Sequence, residues 1–255
     1  MLPQICRTAL SLAAAVALVS PAAATDAATP GDRAPNPRWA EITRVDGGFR
    51  YVASKYDNKL TITRDGGRVV FHDTAMRRFR EALPHGCRAE TVDRGIAASC
   101  RIPASATAAQ PLVLEIVPQG GNDRVDGSSL GAQLRLSVEP AAGDDTVLGG
   151  AADDELNGAV GVDTLTGGDG DDVIMSGDGD DVTNGGEGDD KIVSGPGNDQ
   201  LSGFAGDDQL EGGTGDDLLL GGANSDFLLC GAGNDTADDR ELEDDTSRHC
   251  ENLVP

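Results

Sequence analysis

The sequence predicts an all-β protein: a parallel β-solenoid of short stacked repeats, preceded by a small N-terminal β-rich head that caps its open end. Three observations carry this. Over residues 149–238 one nine-residue pattern recurs ten times without an insertion, and a fixed short period is the mark of a stacked array. Glycine supplies 35 of the 255 residues and aromatics only 3%, unusual for a compact globule and ordinary for a solenoid. Upstream, FRYVAS, KLTITR and RVVFHD alternate apolar and polar residues between DN and DGG turn signals, the period of half-buried strands.

In chain order, residues 1–24 read as a secretory signal: Arg7 in the charged start, an apolar run over 9–19, and small residues ending at Ala22, Ala23 and Ala24. Cleavage is expected after Ala24. The apolar run is far shorter than the ~20 residues that span a bilayer, and nothing later is apolar enough to cross one, so the product is expected to be secreted. Residues 25–37, TDAATPGDRAPNP, have linker composition. The head follows over 38–111, with three alternating runs predicting a β-meander. Within it, 74–83 (TAMRRFREAL) places Met76, Phe79 and Leu83 on one helical face and stops before Pro84, predicting one short helix.

Residues 112–148 are a transition. PLVLEIVP and AQLRLSVEP flank QGGNDRVDG, a worn copy of the repeat, and PAAGDDTVL follows from Pro140. The coil is therefore expected to start as early as Leu112. Intact repeats fill 149–238, and 239–255 form a C-terminal cap, since solenoids need covered ends.

Within the repeat, represented by GGDGDDVIM, GGEGDDKIV and GGTGDDLLL, place six is aspartate in every copy: Asp154, Asp163, Asp172, Asp181, Asp190, Asp199, Asp208, Asp217, Asp226 and Asp235. Glycine at places one, two and four suits left-handed backbone in a tight turn. Those at place four are Gly170, Gly179, Gly188, Gly197, Gly206 and Gly215. Such a turn aims carbonyl oxygens inward, and the aspartate adds a hard anionic oxygen suited to a cation that takes six to eight oxygen ligands. Places seven to nine predict a three-residue strand whose middle side chain points to the core. That inward column is Leu156, Leu165, Ile174, Thr183, Ile192, Leu201, Leu210, Leu219, Leu228 and Ala237.

The pattern resembles the RTX nonapeptide repeat, G-G-x-G-x-D-x-U-x with U a large apolar residue. The resemblance implies a calcium-loaded parallel β-roll in which two nonapeptides make one coil and several Ca2+ ions lie between loops two repeats apart. It would pair Asp172 with Asp190, Asp190 with Asp208, Asp181 with Asp199, and Asp199 with Asp217. Asp226 and Asp235 join the predicted ligand set although Asn224 replaces a fourth glycine and the last loop begins with Cys230. GGAADD and GAVGVD each lack part of the pattern, which leaves Asp154 and Asp163 outside it.

Charge points the same way. Residues 140–239 hold 25 acidic side chains and one base, Lys191, while the remainder of the chain balances at 19 and 19. Carboxylates about 4 Å apart repel by roughly 1 kcal/mol even at the dielectric of water, so the roll is expected to fold with calcium and expand without it. A pI near 4.2 argues against nucleic acid, whose phosphates need basic partners. An unidentified cell-surface or extracellular partner remains open.

With Cys6 lost in the signal, Cys87, Cys100, Cys230 and Cys250 leave three connectivities. Local pairing, Cys87 with Cys100 and Cys230 with Cys250, is the expectation for an oxidising compartment. A zinc site on Cys230, His249 and Cys250 lacks a fourth ligand. The histidines His72, His85 and His249 form no H-E-x-x-H. Residues 127–131 (GSSLG) match the G-x-S-x-G nucleophile elbow, but the AQLRLSV that follows alternates like a strand, where an elbow requires a helix. The reading is a secreted, non-catalytic calcium-binding protein with a structural, adhesive or envelope-associated role. The alternative is a small secreted hydrolase with its site in the head.

Overall fold

A computed structural model describes residues 38–238, 246–248, 250 and 252–254. The expected signal (1–24) and linker (25–37), His249 and most of the C-terminal cap lie outside the described residues. All regular structure within them is strand.

The head is built from β1 (Trp39–Val45), β2 (Gly48–Ala53), β3 (Lys59–Asp65), β4 (Arg68–Asp73), β5 (Arg78–Phe79), β6 (Cys87–Glu90) and β7 (Ile96–Arg101). It is not a meander. The hairpin β1–β2 lies in one sheet and the hairpin β3–β4 in the other, with residues 54–58 crossing between them. Each hairpin then serves as a template. β8 (Leu112–Gln119) pairs parallel with β2 and β9 (Arg124–Asp126) pairs parallel with β3. β10 (Leu134–Pro140) adds to β8, and β11 (Thr146–Leu148) to β9. The coil thus starts at Leu112, and both sheets run from the head into the repeats without a break. Inside the head the sheets close on Phe49, Tyr51, Leu60, Ile62, Phe71 and Met76, all buried. The rings of Tyr51 and Phe71 stack 6.0 Å apart.

The helix expected over 74–83 does not form. The Asp73 carboxylate accepts the backbone N–H groups of Ala75 (2.8 Å) and Met76 (3.2 Å), which is how a helix start is capped. The chain then turns away. Arg77 and Arg80 donate their N–H groups to the carbonyls of Arg38 and Ala40, making β5 a two-residue edge beside β1. A ten-residue helix is marginal by itself, whereas the sheet edge offers ready backbone partners.

Beyond β11 the repeats alternate between the sheets, each strand pairing in parallel with the one eighteen residues later; Val182, Thr183 and Asn184, for instance, oppose Gln200, Leu201 and Ser202. The strands are six residues long, as in Val173–Asp178 and Lys191–Pro196, not the three that the x-U-x places predicted. They continue into places one to three of the next copy because place one also faces the core. The inward column, from Leu156 to Ala237, is buried at every place; each large aliphatic member contributes roughly 1.5–3 kcal/mol. Thr183 breaks the apolar run and is satisfied there, its hydroxyl lying 2.7 Å from that of Ser176 at place one.

Both disulfides follow the local pairing. Cys87–Cys100 ties β6 to β7, and Cys230–Cys250 ties the last coil to the tail, whose strands Thr246–Arg248 and Asn252–Val254 extend the two sheets.

Candidate metal centre

Each turn between strands presents places four to six, and the coils stack these turns into two flanks. On one flank the place-six residues are Asp154, Asp172, Asp190, Asp208 and Asp226; on the other they are Asp163, Asp181, Asp199, Asp217 and Asp235. Oδ1 of each accepts the backbone N–H of the residue eighteen places earlier, an aspartate in every case but Asp154, whose donor is Leu136. The bonds run from Asp172 N to Asp190, Asp190 N to Asp208, Asp181 N to Asp199 and Asp199 N to Asp217 at 2.8–2.9 Å. Asp208 N and Asp217 N donate likewise to Asp226 and Asp235. All of these carboxylates are 0–3% exposed. The loop-to-loop pairs expected from the repeat are therefore adjacent.

The second oxygen has a different fate. Oδ2 of Asp163, Asp172, Asp181, Asp190, Asp208 and Asp217 is buried and has no hydrogen-bond donor. An ionised oxygen buried without a donor or counter-charge is costly. Burial accordingly pushes the carboxyl of Asp172 up to about 8, those of Asp181 and Asp208 to about 7, and that of Asp190 to about 6.

Glycine has two separate jobs here. At place four it carries a positive φ, +113° at Gly170 and +127° at Gly188, and a Cβ on Gly188 would run into the Gly170 carbonyl oxygen of the coil below. The same close approach holds for Gly197 over Gly179, Gly206 over Gly188 and Gly215 over Gly197. At place one the backbone is not left-handed, contrary to the sequence reading. Glycine is needed there because a Cβ on Gly167, Gly185 or Gly203 would overlap Oδ2 of Asp172, Asp190 or Asp208. The absent side chains leave the carboxylate oxygens themselves room to pack against the backbone.

Place five forms a second ladder that the sequence reading did not identify. Its carboxylates accept in the opposite sense, from the N–H eighteen residues later: Asp189 N to Asp171 (3.1 Å), Asp207 N to Asp189 and Asn198 N to Asp180 (both 2.9 Å). Unlike place six, these side chains sit in exposed bonds. The signal for them was the D-D and N-D pairs that recur at places five and six.

The ladder also runs further than the predicted set. Asp163 has the same geometry as its intact neighbours, while Asp154 uses both oxygens on the N–H groups of Leu136 and Gly150, each at 2.7 Å. Asp145 and Asp123, in the worn copies, continue the flank towards the head: Asp145 N donates to Asp163 and Asp123 N to Asp145. Asn58, wholly buried, ends it by donating both its backbone N–H and its side-chain amide to Oδ1 of Asp123. Only register with the GGNDR and AGDDT copies could have pointed to this.

The donor set is all oxygen and anionic, which fits a hard divalent cation. Among the described residues no three carboxylate, imidazole or thiolate side chains converge on one point. A cation on the ladder would therefore draw its other ligands from loop carbonyls, as the repeat geometry allows.

Ser129 lies elsewhere, in a turn between strands β9 and β10, with its hydroxyl 3.4 Å from the Ile62 carbonyl. No helix follows it among the described residues. No helix among the described residues is long and apolar enough to cross a membrane.

Compared with known families, the chain matches the RTX calcium-binding nonapeptide repeat in four copies, over residues 141–165, 149–183, 166–201 and 202–237. No curated protein matches it in sequence. The repeats are thus RTX repeats, folded as a parallel β-roll, and they make this region a calcium-binding structural module.

Proposed function

We propose, from RTX repeats folded as a β-roll, that this chain is an exported, non-catalytic protein whose repeat region folds only as its ladders fill with calcium. The observation that carries this is the file of buried Oδ2 atoms without a donor on Asp163, Asp172, Asp181, Asp190, Asp208 and Asp217. Asp172, Asp181, Asp190, Asp199, Asp208, Asp217, Asp226 and Asp235 supply the carboxylate ligands. The loops of Gly170, Gly179, Gly188, Gly197, Gly206 and Gly215 supply the carbonyls. When bound, calcium supplies the positive charge that lets these carboxylates stay ionised while buried.

Export is supported by two disulfides, which persist in oxidising compartments, and by the signal-like start of the sequence. The strand-to-strand setting of Ser129 supports a non-catalytic role, structural or adhesive, with 38–111 as head and 239–255 as cap. The test is calcium titration of the mature chain followed by circular dichroism, with native mass spectrometry to count the ions. The β signal should appear at millimolar calcium and not with magnesium. A chelated protein that keeps the same β signal and compact size at pH 8, where the ladder carboxyls are ionised, would overturn the proposal.

A further inference from the structure

The head is charged opposite to the roll. Residues 38–111 hold 13 arginines and lysines against 8 acidic side chains, and several of the bases line one concavity. A recess of about 460 Å³ is walled by Arg44, Arg68, His85, Arg88, Arg101 and Pro103. It adjoins a second recess of about 390 Å³, which shares Arg44 and Pro103 and is lined further by Asp46, Ser105, Gln110 and backbone near Gly47. Together they form a groove that is cationic at one end and mostly neutral at the other.

Two features separate this from a chance grouping of surface arginines. First, Arg68 and Arg101 stand directly opposite each other across β4 and β7, where like charges are destabilising. Neither has a carboxylate within salt-bridge distance among the described residues; Glu90 pairs with Arg88 instead. Second, the site is built to be stiff. Arg68 donates to the Ser99 hydroxyl at 2.8 Å and to the Gly86 carbonyl at 3.1 Å, and the Cys87–Cys100 disulfide fixes Arg88 and Arg101 as the residues that follow its two ends. Ser99 in turn donates its hydroxyl to Glu90, so the carboxylate reaches Arg68 only through that hydroxyl while also pairing with Arg88, and the Arg68 guanidinium keeps its planar fork, the geometry that grips phosphate in pairs of hydrogen bonds.

We propose that this groove binds a phosphate ester, with the anion at the Arg68–Arg101 end and the rest of the molecule lying toward Ser105 and Gln110. Such an ester reaches the protein either as a small metabolite or as one unit of a phosphate-bearing surface polymer. The site is independent of what fills the aspartate ladders, because none of its residues belongs to them.

The experiment is calorimetric titration of the mature chain in millimolar calcium with glycerol phosphate, which stays soluble beside calcium, and with poly(glycerol phosphate). The variants Arg101→Gln and Arg44→Gln should each weaken binding about tenfold, the scale of one charge-assisted hydrogen-bonding partner. Arg94→Gln, in the head but outside the groove, should leave it unchanged, and circular dichroism should show all three folded. Tighter binding per phosphate by the polymer identifies a surface polymer as the source; equal binding identifies the small ester. The proposal fails if glycerol phosphate gives no heat, if all three variants weaken alike, or if acetate competes as well as phosphate does.

Discussion

At the scale of single residues, the repeat works through what each place lacks as much as through what it carries. Asp190 sits mid-ladder, with Oδ1 bonded to Asp172 N and Oδ2 without a donor. Asp190→Asn keeps the size and one acceptor but removes the charge, so native mass spectra should lose at least one calcium and the folding midpoint should move to higher calcium. Gly188→Ala should be worse. The new Cβ meets the Gly170 carbonyl and the residue must hold a φ of +127°, so a loss of about 2 kcal/mol or more is expected in calcium-dependent unfolding. Phe204 presents the reverse case. It occupies a glycine place with φ +77° while 55% exposed, so Phe204→Gly should stabilise the roll by roughly 1 kcal/mol, read as a lower calcium midpoint. The conserved-looking spacing of the motif made place six legible; it gave no account of why place one is glycine, because that reason is a contact with a side chain five residues on.

At the scale of elements, the head supplies the first rung of each sheet. Hairpins β1–β2 and β3–β4 present edges to which β8 and β9 add in parallel, and Asn58 in the crossing segment ends one aspartate flank. Its side-chain amide also reaches the Pro118 carbonyl at 2.8 Å, so Asn58→Ala takes the side-chain donor from that buried carbonyl and one of two donors from Asp123 Oδ1, and should cost about 1–3 kcal/mol. Hydrogen exchange should then show faster opening at β9 and β11 than at the distal coils. The opposite end is secured covalently. Cys230 and Cys250 close a loop with a sequence separation of 20, and replacing both with serine should lower stability by about 3 kcal/mol, measured by thermal melting in calcium. The split of the hairpins between two sheets, and the use of Arg78–Phe79 as an edge strand, were not readable from local pattern. Alternation marks a strand but says nothing about which sheet it joins.

At the scale of the whole molecule, all the formal charge of −24 resides in the repeats, and it makes stability a joint function of metal and proton. Without metal, burial holds the carboxyls of Asp172, Asp181, Asp190 and Asp208 above their ordinary value of 3.8, from about 6 at Asp190 to about 8 at Asp172. Groups raised on folding stabilise fully below the unfolded pKa and lose that contribution as pH rises through the folded one. In chelator, therefore, β signal should be greatest near pH 4 and fall towards pH 8. In calcium the slope reverses, because protons leave the same oxygens that the metal takes; circular dichroism against pH with and without chelator reads both arms. The sequence by itself determined the period, the inward apolar column and the place-six aspartates, since a repeat short enough to make one turn encodes its geometry within nine residues. Tertiary structure alone decided that Asp123 and Asp145 extend the ladder, that place five builds a second one, and that 74–83 is not a helix. Each of these depends on a backbone donor or acceptor brought close by folding from a distant part of the chain, and hydrogen bonds of that kind leave no period in the sequence.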